Sequence, residues 1–230
     1  MINSLRDKCT KKYIAMRIKA VILDFDGTMG DTQDLIVRTM QQTIQQLGLP
    51  SRTDEQCAAM IGLPLKHTFT TLIEMSEEMG ERCAELYRRL FNENNVPGAV
   101  PVFPNVLDTV RTLHERGLIL TIASARRRDT LVEFLESMNL MQYIPYVISA
   151  SDIENAKPAP DMVLKTLEDY HLSADEAIVV GDTKYDIEMA HRAGVKAVGV
   201  TYGNGTVEEL RAYGAEYIID DFAQLLDIVQ

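Results

Sequence analysis

Asp24 and Asp26 stand one residue apart at the end of an apolar run, in V-I-L-D-F-D-G-T over residues 21–28. The run from Ile18 to Leu23, broken by Lys19, is short and bounded by a turn signal. That suits a strand buried on both faces of a parallel sheet. Open α/β sheets place their chemistry at the carboxyl ends of such strands. Two carboxylates converging there repel unless a cation sits between them, and a hard, oxygen-seeking ion such as Mg²⁺ meets that need. Gly27 lets the backbone pass close to a ligand, and Thr28 sets a hydroxyl beside it. The same octapeptide also reads as a strand followed by an ordinary polar turn, because Asp-Gly is a common turn signal. From these residues alone both readings stand.

The elements that would position these groups follow from periodicity. Leu35, Ile36, Met40, Ile44 and Leu47 recur at helical spacing, with Asp31 as the expected N-cap and Asp34 in the first turn. Thr53 and Gln56 form a capping-box pattern for a second helix. Two more helices follow, the last carrying Cys83, Leu86, Tyr87, Leu90 and Phe91. No strand candidate occurs between residues 31 and 100, and residues 94–101 read as a linker rich in helix breakers. Beyond it, strands at 118–123, 146–149, 177–180, 196–200 and 217–219 alternate with helical patterns at 106–113, 131–138, 162–170 and 185–192. Such alternation implies right-handed β-α-β units and a doubly wound parallel sheet. The expected architecture is α/β. A Rossmann-like core comprises residues 16–30 and 101–230, and an all-helical cap over residues 31–100 is inserted after the first strand.

Composition narrows the partners. The formal net charge of −11 argues against nucleic acid or an anionic membrane surface as a partner. Cys9, Cys57 and Cys83 are odd in number and lack metal-type spacing, which predicts reduced thiols in a cytoplasmic protein. No apolar stretch approaches membrane-spanning length. Residues 1–15 are polar and basic and read as a disordered extension, with Met16 an alternative start.

Three later positions complete a pattern with the octapeptide. Ser124 ends one predicted strand, Lys157 lies in N-A-K-P-A-P, and Gly181-Asp182-Thr183-Lys184-Tyr185-Asp186 ends another strand. Singly each is weak: Gly-Asp after a strand is as readily a turn with a helix cap. In order, D-x-D-G-T, the serine, the lysine and G-D-x-x-x-D resemble the four motifs of the haloacid dehalogenase superfamily, mostly phosphatases that work through a phospho-aspartate. The resemblance covers nearly the whole chain from residue 17. It implies Asp24 as nucleophile and Asp26 as general acid and base, with Lys157 holding nucleophile and phosphoryl oxygens together. It implies Mg²⁺ held by Asp24, the main-chain carbonyl of Asp26, and Asp182, with Asp186 one turn on orienting a metal-bound water. Ser124, Ala125, Gly27 and Thr28 would cradle the phosphate.

Within the family the fit is to the phosphoglycolate phosphatase-like branch. Residues 61–65 (I-G-L-P-L) resemble its cap loop, and residues 199–203 (G-V-T-Y-G) resemble its loop after the fifth strand. The resemblance therefore implies a Mg²⁺-dependent phosphatase acting on a small phosphorylated metabolite, as monomer or dimer. Inorganic pyrophosphatases and sugar-phosphate enzymes share this build, but the histidine that the mutases carry twelve residues after the nucleophile is Ile36 here. A phospho-accepting receiver domain is the non-enzyme alternative, although it has no long helical insertion at this point. Arg126, Lys66 and His67 are further substrate-contact candidates by position. His114, His171 and His191 read as surface.

Overall fold

The computed structural model describes residues 18–96 and 98–229. The expected N-terminal extension, the alternative start at Met16 and Cys9 lie outside the described residues.

The apolar run that precedes Asp24 forms β1, Ala20–Leu23, with all four residues buried. Its alternating side chains enter two different cores, as a period of two on a sheet covered on both faces requires. Val21 and Leu23 pack with Val110, Leu113 and Leu131, while Ala20 and Ile22 pack with Met162, Val163 and Ile187.

Four helices follow: α1 (Gln33–Gln46), α2 (Asp54–Ala58), α3 (Leu65–Leu72) and α4 (Glu77–Asn94). The chain then continues through α5 (Val106–Glu115), β2 (Ile119–Ser124), α6 (Arg128–Ser137), β3 (Tyr146–Ser149), α7 (Asp161–Asp169) and β4 (Ala177–Gly181). It ends with α8 (Lys184–Arg192), β5 (Lys196–Val200), α9 (Val207–Ala212), β6 (Tyr217–Ile219) and α10 (Leu225–Ile228).

The six strands form one sheet in the order β3-β2-β1-β4-β5-β6 with every pairing parallel. The fold is thus the expected doubly wound α/β sheet. β1 lies between β2 and β4, pairing Leu23 with Ile122 on one side and Val180 on the other. Strand order reverses there, so the crevice beyond the carboxyl ends of these three strands is the natural ligand site.

Sequence and structure differ in local detail. The position before α1 is Thr32, with no side-chain cap, so Asp31 does not cap it; the Asp31 N–H instead donates to the Pro101 carbonyl at 2.8 Å. The capping box at Thr53 and Gln56 forms, and both of its hydrogen bonds are present. Strand boundaries move by a residue or two, as ends commonly do. Helix α9, only six residues long, has too little periodicity to read in advance.

The segment between Asp31 and Pro101 leaves and re-enters the sheet at neighbouring points. Gly30 bridges Val102, and the Phe103 N–H donates to the Met29 carbonyl at 3.0 Å. Excising residues 33–98 and closing the gap with a short linker should therefore leave a core that unfolds cooperatively. Its melting temperature should be lower, because the buried apolar cluster that holds Phe25 and Met29 loses Leu35, Met40 and Phe91. Circular dichroism melts of the excised protein test this, and a loss of the sheet signal would show that the helices are an integral part of one core.

Candidate active site

The carboxyl ends of β1, β2 and β4 lie side by side in the sheet. Asp24 follows β1, with its N–H donating to the Val180 carbonyl at 2.9 Å. Ser124 is the last residue of β2, and Asp182 follows β4 directly. Gly27, at φ +82°, takes the chain through a left-handed turn, and a Cβ there would collide with the Asp182 carboxylate and the Asn204 amide. Only glycine lets the two loops approach this closely.

Carboxylate oxygens of Asp24, Asp182 and Asp186 lie within 4.8 Å of one another, all from buried residues. Lys157 enters between two of them. Its ammonium donates to Asp24 Oδ1 and to Asp186 Oδ1, each at 2.6 Å, and the lysine side chain is 1% exposed. Burial alone would pull the lysine down, but Asp186 and Asp24 hold it above its ordinary value and so charged. Burial pushes Asp24 up; Lys157 opposes this, and Asp186 and Asp182 push it further. Asp182 is pushed up to about 7, first by burial and then by Asp186. One ammonium does not compensate three buried carboxylates, which is the condition a divalent cation relieves. The donor set is all oxygen, which fits a hard divalent ion.

Asp26 sits apart from this cluster and faces a different partner. Its carboxylate accepts from Arg126 Nε at 3.1 Å and from Arg126 Nη2, a bidentate pair whose side chains are 13% and 8% exposed. The guanidinium also lies 4.9 Å from the ring centre of Phe91 on α4 and 5.0 Å from that of Phe134 on α6. Arg126 therefore joins the loop after β1 to the helical insertion.

A cavity of about 330 Å³ opens over these groups. Asp24, Asp26, Ser124, Ala125 and Arg126 line its floor, and Lys66 lies on its wall. Lys66 is engaged, however, by Glu77 at 2.7 Å and Glu81 at 3.2 Å. His67 is exposed and does not line the cavity. The Ser124 hydroxyl accepts from the Arg126 N–H at 3.2 Å. Thr28 turns its hydroxyl to Asp182 Oδ1 at 3.3 Å, away from the cavity lining.

Asp186 has protein partners that the sequence did not indicate. Asp182 precedes α8 and does not share a helix face with it. Asp186 spends one oxygen on Lys157 and the other on the Thr183 N–H at 3.0 Å and hydroxyl at 2.7 Å, closing the capping box of α8. Asn204 was not foreseen: its backbone N–H and side-chain amide donate to Asp182 Oδ2 at 2.7 and 2.8 Å. The available signal was its place between Gly203 and Gly205, just beyond the loop whose resemblance stopped at residue 203.

A family profile described as haloacid dehalogenase-like hydrolase matches residues 21–200. The chain belongs to this family of hydrolases. It is 32% identical to the pyrophosphatase PpaX of Anoxybacillus flavithermus over 214 residues, covering 93% of this chain and 98% of that protein. It is 26% identical to a phosphoglycolate phosphatase of Vibrio parahaemolyticus, covering 92% and 96% respectively. A solved structure from Bacteroides fragilis superposes with a TM-score of 0.86 at 26% identity, covering 91% of this chain and 100% of the other. Among the described residues, no helix is long and apolar enough to cross a membrane.

The hold of Asn204 on Asp182 is testable separately from any chemistry. Groups that orient metal ligands from behind are typically worth about 10–100-fold in metal affinity or activity. Asn204→Ala removes the amide donor but keeps the backbone one, so, where Asp182 is a ligand, a loss near the lower end, about tenfold in divalent-cation affinity, is expected by calorimetric titration. Unchanged affinity would mean that the Asn204 amide does not support a metal ligand.

Proposed function

We propose that the protein is a Mg²⁺-dependent phosphatase of small phosphorylated metabolites, working through a phospho-aspartate at Asp24. The observation that carries this reading is the Asp24 carboxylate. It lines the cavity while Lys157 holds one of its oxygens at 2.6 Å and Asp182 lies behind it. A nucleophile fixed on one oxygen, beside a cation that also meets phosphoryl oxygens, is what phosphoryl transfer asks of a protein. The phosphoglycolate phosphatase and pyrophosphatase relatives support the same class of substrate.

In this reading Asp24, Asp182 and the main-chain carbonyl of Asp26 hold Mg²⁺. The ion, when bound, offsets negative charge on the nucleophile and the phosphoryl oxygens. Asp24 attacks phosphorus and forms an acyl phosphate. Ser124 and the N–H groups around Ala125 receive the phosphoryl oxygens. Asp26 gives a proton to the departing alkoxide and takes one back from the water that cleaves the acyl phosphate. Because Arg126 occupies both oxygens of Asp26 in this structure, proton donation requires that pair to open. Asp186 keeps Lys157 aimed at Asp24 and caps α8.

Asp24→Asn should abolish turnover of p-nitrophenyl phosphate in Mg²⁺, because an amide is neither nucleophile nor anionic ligand. Hydrolysis surviving at a substantial fraction of wild type would rule out the phospho-aspartate route. A single stoichiometric phosphorylation without turnover in the unmodified protein would favour a receiver-type signalling domain instead.

Asp26→Asn should cost about 10²–10⁴-fold with an alkyl phosphate, the usual value of general acid–base assistance. The loss should be smaller for p-nitrophenyl phosphate, whose leaving group needs no proton. This ratio between substrates is independent of how much variant folds. Equal losses on both, with no phosphorylated Asp24 peptide trapped by rapid quench, would make Asp26 structural.

A further inference from the structure

We infer that the leaving group of the natural substrate is an apolar body, rather than a second phosphate or a carboxylate. This inference rests on the phosphatase reading and narrows it. Above the floor the apolar part of the wall is made by Ile36 and Met40 of α1, Met60 and Leu63 between α2 and α3, Leu65 at the start of α3, and Phe91 of α4, with Thr68, Asn92 and Thr130 among them. At about 330 Å³ it has room for about eleven waters at their share of liquid volume. A phosphoryl group and a glycolate would leave much of that room to water held against hydrocarbon.

The charges lining the cavity point the same way. Lys66 is paired with Glu77 and Glu81, Arg126 with Asp26, and Arg127 with Asp129. Among the described residues that line it, Arg88 is the cation with no carboxylate in ion-pair contact, and it is half-buried. A leaving phosphate placed among these walls would lose its hydration and find one uncommitted cation. Burying an anion on such terms is strongly unfavourable. An alkyl or aryl group gains from the same walls in proportion to the area it covers. Met40 and Met60 are flexible enough to close on more than one shape, so breadth among apolar groups is expected.

The test is a series of alkyl esters with similar leaving-group basicity, ethyl, butyl, hexyl and benzyl phosphate, set against 2-phosphoglycolate and against pyrophosphate, whose leaving group is much less basic, all assayed in Mg²⁺ by phosphate release. The expected result is kcat/KM rising by about fourfold per methylene until the cavity is filled, as transfer from water to an apolar wall predicts. Hexyl and benzyl phosphate should then exceed both 2-phosphoglycolate and pyrophosphate. Met60→Gln and Leu65→Gln, each at a half-buried position, should flatten that slope. A flat series in the wild type, or a preference for pyrophosphate or 2-phosphoglycolate, overturns the inference and leaves the phosphatase standing. No release from any of these compounds or from p-nitrophenyl phosphate overturns both.

Discussion

The Lys157 ammonium lies 2.6 Å from one oxygen of Asp24 and 2.6 Å from one of Asp186, with all three side chains buried. Most of what the carboxyl end of the sheet can do depends on that contact. Three carboxylates from two loops and a helix converge here, and without a cation among them they would drive the loops apart. Losing one partner of a buried pair typically costs about 3–5 kcal/mol, because the remaining charge has no water to turn to. In a domain whose whole stability is of order 5–15 kcal/mol, such a contact shapes the loop geometry as well as the chemistry. It also leaves the site short of positive charge: Asp24 and Asp182 are both pushed above the ordinary carboxylate range, chiefly by burial. The site is built around a cation that the protein's own side chains only partly replace.

Why these residues meet is a matter of topology. The chain passes from β1 to β2 and β3 on one side, then crosses to β4 on the other. The ends of β1, β2 and β4 are therefore neighbours, and those of β1 and β4 meet across more than 150 residues of sequence, as the hydrogen bond from Thr28 to Asp182 illustrates. This much was legible beforehand, because each of these residues follows an apolar run and strand ends can be read from composition. Lys157 was different. It belongs to no regular element, and only the order of the four motifs singled it out.

What could not be read has a common physical cause. Asn204 reaches Asp182 from a loop whose path is set by glycine contacts, and neither helical nor strand periodicity marks it. The bidentate pairing of Arg126 with Asp26 depends on two side chains 100 positions apart finding the same volume. In the sequence Arg126 is one of three consecutive arginines; in the structure its neighbours take different partners, Asp129 for Arg127 and Asp152 for Arg128. Asp31 does not cap α1 because the helix begins one residue later, with Thr32 at the cap position, while the Asp31 backbone pairs with Pro101 where the two connections to the helical segment run side by side. Pairings of this kind are decided by packing, which local sequence does not encode.

Arg126 also shows how the two halves of the molecule divide their work. Its charge is satisfied by the core through Asp26, while its flat face is covered by Phe91 from the helical segment and Phe134 from the core. A guanidinium tolerates this better than an ammonium, since it is more weakly hydrated and stacks on rings. Anything that shifts α4 relative to the sheet must change the environment of Arg126, and with it the freedom of the Asp26 carboxylate. The polar groups at the strand ends sit on the most rigid part of the fold, fixed by sheet pairing on both sides of β1. The walls that would meet a leaving group lie on helices joined to the sheet by two adjacent connections. The candidate chemical groups thus sit on the sheet, and much of the cavity wall sits on the helices. The Asp26–Arg126 pair stands where the two meet.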